Sequence, residues 1–193
     1  MYIFNELICD PDLYLTSFFM DVDFGEAGDK KLRFEAPWDF DSTMGNKSFA
    51  IENTTEETVG GKQPQYMCTI NQMFAGRCQT DVNCTDARTH GNPWMVVFIK
   101  CGWFQHLVYD IWDGFIPANT IAPVEGFYNN MQDNYADHLE FNRTRWGYPE
   151  SDELCNASRA AAEQSQQASA EYMKTWLYAR WSAMNTIISA WEH

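Results

Sequence analysis

The chain has 193 residues, 45% of them hydrophobic and 16% aromatic, which is enough for one domain with a sizeable core and too few for two ordinary domains. This composition argues against an intrinsically disordered protein and for a packed globular domain. The 27 acidic and 13 basic residues give a net charge of -14, which repels nucleic-acid phosphates and anionic lipid surfaces. We therefore expect no nucleic-acid partner.

The sequence carries no targeting signal that we recognise. No stretch approaches the run of about 18 apolar residues that spans a bilayer, and the N-terminus lacks the basic region of a secretory signal. We therefore predict no membrane span. The periodic apolar pattern of a helix interior begins directly at Met1. This pattern predicts that the chain comes from a longer parent protein that has lost its beginning.

The first part of the chain predicts a short helix followed by a β-hairpin. Residues 2–9 have the pattern of a helix end, and the Asp-Pro-Asp cluster at 10–12 is a turn. Two aromatic and β-branched runs, 17–24 and 31–38, are joined by a connection with two glycines. This arrangement is typical of a hairpin with a long turn.

The rest of the chain predicts helices after an irregular segment. Residues 47–92 are polar and rich in Gly and Thr, which indicates a long loop or insertion. Apolar residues then recur at helical spacing from about 93 to 112, 123 to 141 and 151 to 191. The predicted fold class is α+β, with the hairpin packed on a mostly helical body in a single domain 1–193. We expect the following rings to be mostly buried: Trp94, Phe104, Trp112, Trp146, Trp176 and Trp181.

Six cysteines are spread along the chain without any C-x-x-C pair, so the spacing does not predict a zinc-thiolate site. Three of them fall within residues 68–84, in a polar segment. Two alternatives remain open for these three, a disulfide in a secreted protein or free thiols.

Two carboxylates follow the second predicted strand. If residues 38–41 are extended, Asp39 and Asp41 lie on one face and Phe40 on the other. Like charges this close raise each other's pKa unless a cation lies between them, so the pair is hydrated, shares a proton or binds a metal. Shielding by Trp38 and Phe40 favours a partner for the pair, which brings the metal and surface alternatives to equal weight.

A third carboxylate belongs to the same region if the hairpin forms. A hairpin brings its two outer ends together, so Asp12 and Asp39 should meet in space. Protein kinases use this order: a catalytic-loop Asp, a polar metal ligand five residues on, a hairpin, and a metal-binding Asp. Here Ser17 stands five residues after Asp12.

The residues around this hairpin resemble the core of CotH-family kinases, which were first named for a spore-coat protein. The resemblance lies in N-E-L-x-x-D-P-D-x-x-x-x-S-F-F-M from Asn5, in K-L-R-F from Lys31, and above all in A-P-W-D-F-D-S-T-M-G-N from Ala36. It continues through the helical part and covers most of the chain except about 50 to 90. Its further pieces are Asn92-Pro93-Trp94, 104–112, 142–146 and 176–181.

The resemblance implies the C-lobe of an atypical protein-kinase-like fold that transfers the γ-phosphoryl group of ATP to a hydroxyl of a protein substrate, with Mg²⁺ or Mn²⁺. It implies that Asp39 holds the metal, that Asp41 and Ser17 assist, and that Asp12 orients the phospho-acceptor. Asn46 would close the loop and count among the cofactor-binding residues. A spore coat, a cell surface or a secreted location is implied in the same way.

The chain also departs from the family. No G-x-G-x-x-G or Walker-type loop is present, so the N-terminal lobe that covers the nucleotide is expected to be missing, and this chain alone is expected to bind ATP poorly. Two other functions remain open. One is a non-catalytic structural or assembly protein of a spore coat or cell surface on the same scaffold. The other is a carbohydrate-active protein, because carboxylate pairs framed by Trp also suit glycosidic chemistry.

Overall fold

In a computed structural model the chain forms a mostly helical body with two small antiparallel sheets, which agrees with the predicted α+β class. The structure describes residues 1–9, 19–34, 38–41, 43–46, 50–52, 62–64, 93–119, 121–147 and 156–192. The predicted turn at 10–12 and Ser17 lie outside the described residues, as do most of 47–92 and the side chain of Trp94.

The predicted N-terminal helix is confirmed as α1, Tyr2–Ile8. It ends at Cys9, whose backbone is left-handed at φ 55° and whose N–H donates to the carbonyl of Asn5. This is a common way to satisfy the last carbonyls of a helix. The ring of Tyr2 packs edge-on against Phe104 with 5.1 Å between centroids, which joins the short helix to the core.

The predicted hairpin is also confirmed, with β1 at Met20–Val22 and β2 at Leu32–Phe34. The strands are antiparallel with Met20 opposite Phe34, so the segments before β1 and after β2 leave from the same end. Apart from the half-buried Val22, the strand side chains are exposed. The described strand residues therefore lie mostly at the surface, and the predicted packing of the hairpin on the helical body stays a prediction.

A second antiparallel pair occurs inside the segment predicted to be irregular. Strands β3, Ala50–Glu52, and β4, Lys62–Pro64, pair with Ala50 opposite Pro64. The sequence did not predict this pair because its strands are short and β4 contains Lys, Gln and Pro, which are poor strand residues. The other residues of 47–92 lie outside the described part of the chain.

The first predicted helical stretch is divided into two helices, α2 at Pro93–Phe98 and α3 at Gly102–Asn119. The N–H groups of Lys100 and Cys101 donate to carbonyls three residues back, which tightens the chain and ends α2. The side chain of Gln105 then donates to the carbonyl of Ile99 at 2.8 Å. A polar side chain thus satisfies a carbonyl that the break leaves without a helical partner.

The other two predicted stretches form three helices. Helix α4 spans Ile121–Trp146, and the last stretch is split into α5, Asn156–Gln164, and α6, Gln166–Ser189. The prediction of one continuous helix from 151 to 191 was wrong at Ser165. Its backbone is extended and its hydroxyl accepts a hydrogen bond from the N–H of Ala168 at 3.0 Å, which makes it the N-cap of α6.

The core is centred on α6, which contacts α1, α3, α4 and α5. Its buried residues pack with aromatic and aliphatic side chains of α1, α2 and α3. The indole N–H of Trp112 donates to Asn185 Oδ1 at 3.0 Å, so a buried ring keeps its polar atom paired. Within the described helices, none has a segment long and apolar enough to cross a bilayer.

Burial of the predicted aromatic set is partly confirmed. Phe104, Trp112 and Trp176 are buried, and Trp181 is half-buried against the core. Trp146 was predicted to be buried, which is wrong, because it is 76% exposed. Helix α4 carries aromatic residues on more than one face, so its period does not select the face that packs on α6.

The two cysteines that the structure describes, Cys9 and Cys101, are both thiols. Cys9 is buried in the core at the end of α1, where it behaves as a small apolar residue. The cysteines within 68–84 lie outside the described residues, so both alternatives for them remain open.

Candidate functional site

The acidic loop, which we define as residues 38–41 and 43–46, follows the hairpin and carries both predicted metal-binding carboxylates. Three of its residues have a left-handed backbone: Asp39 at φ 66°, Met44 at φ 51° and Gly45 at φ 72°. The loop is therefore not the extended segment that the sequence predicted, and regular alternation of side chains does not apply through Asp39. A left-handed conformation costs a non-glycine residue about 1–2 kcal/mol, so other contacts must hold the loop in place.

The carboxylates of the acidic loop are more accessible than the sequence predicted. Asp39 and Asp41 are both exposed, and the ring of Trp38 is 67% exposed, so it does not shield them. Phe40 is half-buried and packs edge-on against Phe4 of α1 with 5.6 Å between centroids. The loop thus leaves its two acids at the surface while one ring attaches it to the helical body.

A tight turn in the acidic loop is hydrogen-bonded to the end of α1. Thr43 is 2% exposed, and its N–H and hydroxyl donate to the carbonyl of Phe40 at 3.1 and 2.7 Å. The N–H of Met44 donates to the carbonyl of Ile8 at 2.8 Å. Because Ile8 is the last residue of α1, the loop and that helix cannot move independently without breaking this bond.

Gly45 brings the acidic loop into close contact with α6. A Cβ at this position would lie 2.5 Å from Cδ1 and Nε1 of Trp176, so only glycine fits there without a shift. The hydroxyl of Tyr172 donates to the carbonyl of Gly45 at 2.8 Å. The absence of a side chain at Gly45 therefore lets the backbone approach α6 closely, and the hydrogen bond from Tyr172 holds it there.

Asn46 closes the acidic loop on itself and joins it to α5. Its side-chain N–H donates to the carbonyl of Asp41 at 2.7 Å. Its Oδ1 accepts a hydrogen bond of 2.7 Å from the hydroxyl of Ser158. Ser158 lies on α5 and is only 8% exposed.

A cavity of about 340 Å³ lies between the acidic loop and helices α5 and α6. Asp41 is the only carboxylate among its described lining residues. They are Phe40, Asp41, Thr43, Met44, Asn46, Ser158, Ala162, Gln166, Ser169, Ala170, Tyr172 and Met173. The cavity is thus continuous with one of the two predicted metal-binding residues.

A fully buried ion pair joins α1 to α6, the two helices to which the acidic loop is also hydrogen-bonded. Both side chains, Glu6 and Arg180, have no exposed surface, and one guanidinium nitrogen lies 3.2 Å from Glu6 Oε2. Arg180 Nε also donates to the carbonyl of Glu6 at 2.8 Å. In the sequence, Arg180 stands at helical spacing from Trp176 and Met184, on the apolar face of α6, where a buried charge nearly always needs a partner.

A second group of ionisable side chains joins α4 to α6. Lys174 Nζ lies 2.9 Å from Glu171 Oε2, and the hydroxyl of Tyr128 donates to the same oxygen at 3.3 Å. The hydrogen bond from Lys174 lowers the pKa of Glu171 below its usual value, and the pKa of Lys174 is raised by the same bond. Burial, followed by the charge of Glu171, raises the pKa of Tyr128.

The structure places three of the five predicted site residues, Asp39, Asp41 and Asn46, in the acidic loop; Asp12 and Ser17 lie outside its described residues. In the described part of the chain, no three His, Cys, Asp or Glu side chains form a group that could hold a metal. Two accessible carboxylates nevertheless suit Mg²⁺, which takes one or two protein carboxylates and completes its shell with water and phosphate oxygens.

Contacts from distant residues were not predicted from the sequence. Ser158 and Tyr172 bond to the acidic loop from 112 and 127 residues away along the chain. No local pattern marks either residue, since Ser and Tyr are ordinary in helices of this composition. Only the glycine of M-G-N gave a signal, because a glycine inside a specific motif often marks a left-handed or closely packed position.

No protein-family model, no curated protein and no solved structure matches the chain. A function must therefore be argued from its own residues. The acidic loop is the strongest basis, because it combines accessible carboxylates with a left-handed aspartate and contacts to three helices.

Proposed function

We propose that the chain is the catalytic-lobe portion of a CotH-type protein kinase, in which Asp39 and Asp41 hold the divalent metal of a metal-ATP complex. The observation that carries this proposal is the left-handed backbone of Asp39 in a loop anchored to the helical body. Such conformations persist only where the surroundings enforce them, and they cluster at active sites and ligand clamps. The resemblance of the P-W-D-F-D block to this family supports the same assignment.

The chemistry of phosphoryl transfer suits what this chain offers. The reaction depends mainly on positioning and on stabilising charge around the transferred group. Bound Mg²⁺ or Mn²⁺ supplies part of that charge. Asp39 and Asp41 provide accessible carboxylate oxygens, and the acidic loop fixes their backbone against α1, α5 and α6.

The hairpin register supports a role for the residues that precede it. Because Met20 lies opposite Phe34, the chain enters β1 and leaves β2 at the same end. In the proposed kinase, Asp12 accepts a hydrogen bond from the hydroxyl of the protein substrate, and Ser17 assists in holding the metal. ATP is the phosphoryl donor and a protein hydroxyl is the acceptor.

The test is Asp39→Asn, measured for Mn²⁺ binding by electron paramagnetic resonance and for transfer from radiolabelled ATP to a protein acceptor. Transfer is measured on this chain and on any longer gene product that contains it. We expect the substitution to weaken Mn²⁺ binding at least tenfold and to abolish transfer, on the scale of one lost charged ligand. The melting temperature should stay near that of the unchanged chain, because Asp39 is exposed.

Asp137→Asn is the matched control, because Asp137 is an exposed aspartate on α4 and is not among the residues that line the cavity beside the acidic loop. It should leave Mn²⁺ binding and transfer unchanged. If Asp39→Asn also leaves both unchanged, the metal role is refuted. A non-catalytic assembly protein on the same scaffold would then be the better assignment.

A further inference from the structure

Both polar atoms of the Asn46 side chain are engaged by other parts of the protein. The side-chain nitrogen contacts the carbonyl of Asp41 and the side-chain oxygen contacts the hydroxyl of Ser158, each at 2.7 Å. Asn46 is half-buried, whereas Asp41 is exposed. The amide thus stands between a buried residue of α5 and the backbone of Asp41 in the acidic loop.

The orientation of this amide follows from hydrogen-bonding chemistry alone. A backbone carbonyl only accepts hydrogen bonds, so the atom of Asn46 that faces Asp41 must be the NH₂ donor. The oxygen then faces Ser158, whose hydroxyl donates. Flipping the amide would set an oxygen against a carbonyl oxygen at hydrogen-bond distance, which is repulsive.

From this geometry we propose that Asn46 and Ser158 are positioning residues for Asp41 and do not contact the metal or nucleotide. Ser158 fixes the orientation of the Asn46 amide, and the amide fixes the backbone from which the Asp41 carboxylate projects. The inference rests on the proposed function, since it assigns a role within the same metal site. It also replaces the direct cofactor-binding role that the family resemblance implied for Asn46.

The sharpest test is Asn46→Asp, because the two roles predict opposite results. A carboxylate at this position adds a strong metal ligand, so a direct ligand role predicts Mn²⁺ binding as tight as before or tighter. It cannot donate to the carbonyl of Asp41, however, so the positioning role predicts binding about fivefold weaker, the scale of one lost hydrogen bond. Asn46→Asp with Mn²⁺ binding retained or tightened would overturn the proposal.

Ser158→Ala tests the second member of the pair, with Ser169→Ala as its control. Ser169 lines the same cavity, but its hydroxyl donates to the carbonyl of Ser165, at the start of α6, and not to the acidic loop. We expect Ser158→Ala to weaken Mn²⁺ binding about threefold to fivefold and Ser169→Ala to leave it unchanged. Equal binding by Ser158→Ala and the unchanged chain would overturn the proposal.

Amide hydrogen exchange supplies a readout that does not need the metal. In Ser158→Ala, the N–H groups of Thr43 and Asn46 should exchange faster, while those of α1 keep their rates. Unchanged exchange at both amides would show that Ser158 does not hold the loop, which also overturns the proposal. If the unchanged chain binds no Mn²⁺ at all, the proposed function itself fails. Measuring the unchanged chain alongside the variants distinguishes that result from a failure of the positioning role.

Discussion

The hairpin 19–34 and the acidic loop are neighbours in sequence, yet they are stabilised in different ways. The hairpin holds itself together with its strand ladder and with short-range bonds such as that between Asp29 and Arg33, and its strands are largely exposed. The acidic loop depends on residues of α1, α5 and α6. The position of Asp39 and Asp41 thus depends on residues that are far away in the sequence, such as Ser158 and Tyr172.

The largest effect should come from the buried ion pair between Glu6 and Arg180, which joins α1 to α6. Arg180→Leu leaves the carboxylate of Glu6 buried without its partner, so we expect it to lower the free energy of unfolding by about 3–5 kcal/mol. Urea denaturation followed by circular dichroism measures the change.

Arg33→Leu provides the comparison on the hairpin side. Arg33 and Asp29 form an ion pair whose side chains are 49% and 40% exposed, so its loss should cost about 0–1 kcal/mol. Similar losses for Arg33→Leu and Arg180→Leu would contradict the difference that we infer between the two regions.

Gly45→Ala tests the close approach of the acidic loop to α6, and Gly147→Ala is its matched control. Both glycines have φ 72°, but a Cβ on Gly147 meets nothing within 4 Å, whereas one on Gly45 overlaps Trp176. Both substitutions carry the left-handed penalty of about 1–2 kcal/mol. We expect Gly45→Ala to cost about 1–3 kcal/mol more, from overpacking, in the same denaturation experiment. Equal costs would show that the side chain of Trp176 moves aside without a loss of stability, which would contradict the expected overpacking.

The smallest effect concerns pH and the group formed by Tyr128, Glu171 and Lys174, which joins α4 to α6. Lys174→Met removes the hydrogen bond that depresses the pKa of Glu171, so that pKa should rise toward its ordinary value in an NMR titration. A depressed carboxyl pKa contributes stability above the unfolded pKa, and this contribution is lost as the pH falls through the folded pKa. The variant should therefore lose less stability than the unchanged chain on acidification. An unchanged pKa of Glu171 would contradict the assigned cause.

Local patterns predicted the elements better than their burial. The period of apolar residues predicted the helical regions, and alternating aromatic runs with a glycine-containing connection predicted the hairpin. Ser165 was missed because one serine among Ala and Gln does not interrupt the helical pattern, although its hydroxyl can cap a new helix. Trp146 was misplaced because burial depends on which face of α4 meets α6.

The assignment of the candidate site residues stays a prediction, and the sequence did not predict the backbone geometry of the loop that carries them. The sequence drew attention to Asp39, Asp41 and Asn46, and the structure places all three in one short loop. The sequence did not predict the left-handed backbone of Asp39, because side chains alternate between two faces only where the backbone is extended. The bond from Ser158 depends on how α5 packs, which no spacing near Asn46 encodes.

The link between Glu6 and Arg180 also constrains the order in which the protein can assemble during synthesis. These residues are separated by 174 positions, and α1 leaves the ribosome long before α6 exists. Until then Glu6 has to remain hydrated, so α1 cannot adopt its buried position, and the acidic loop lacks both Tyr172 and the surface of Trp176. The contacts of α1 and of the acidic loop with α6 can therefore form only after α6 has been synthesised, and until then the hydrophobic surface that α6 covers is open to aggregation.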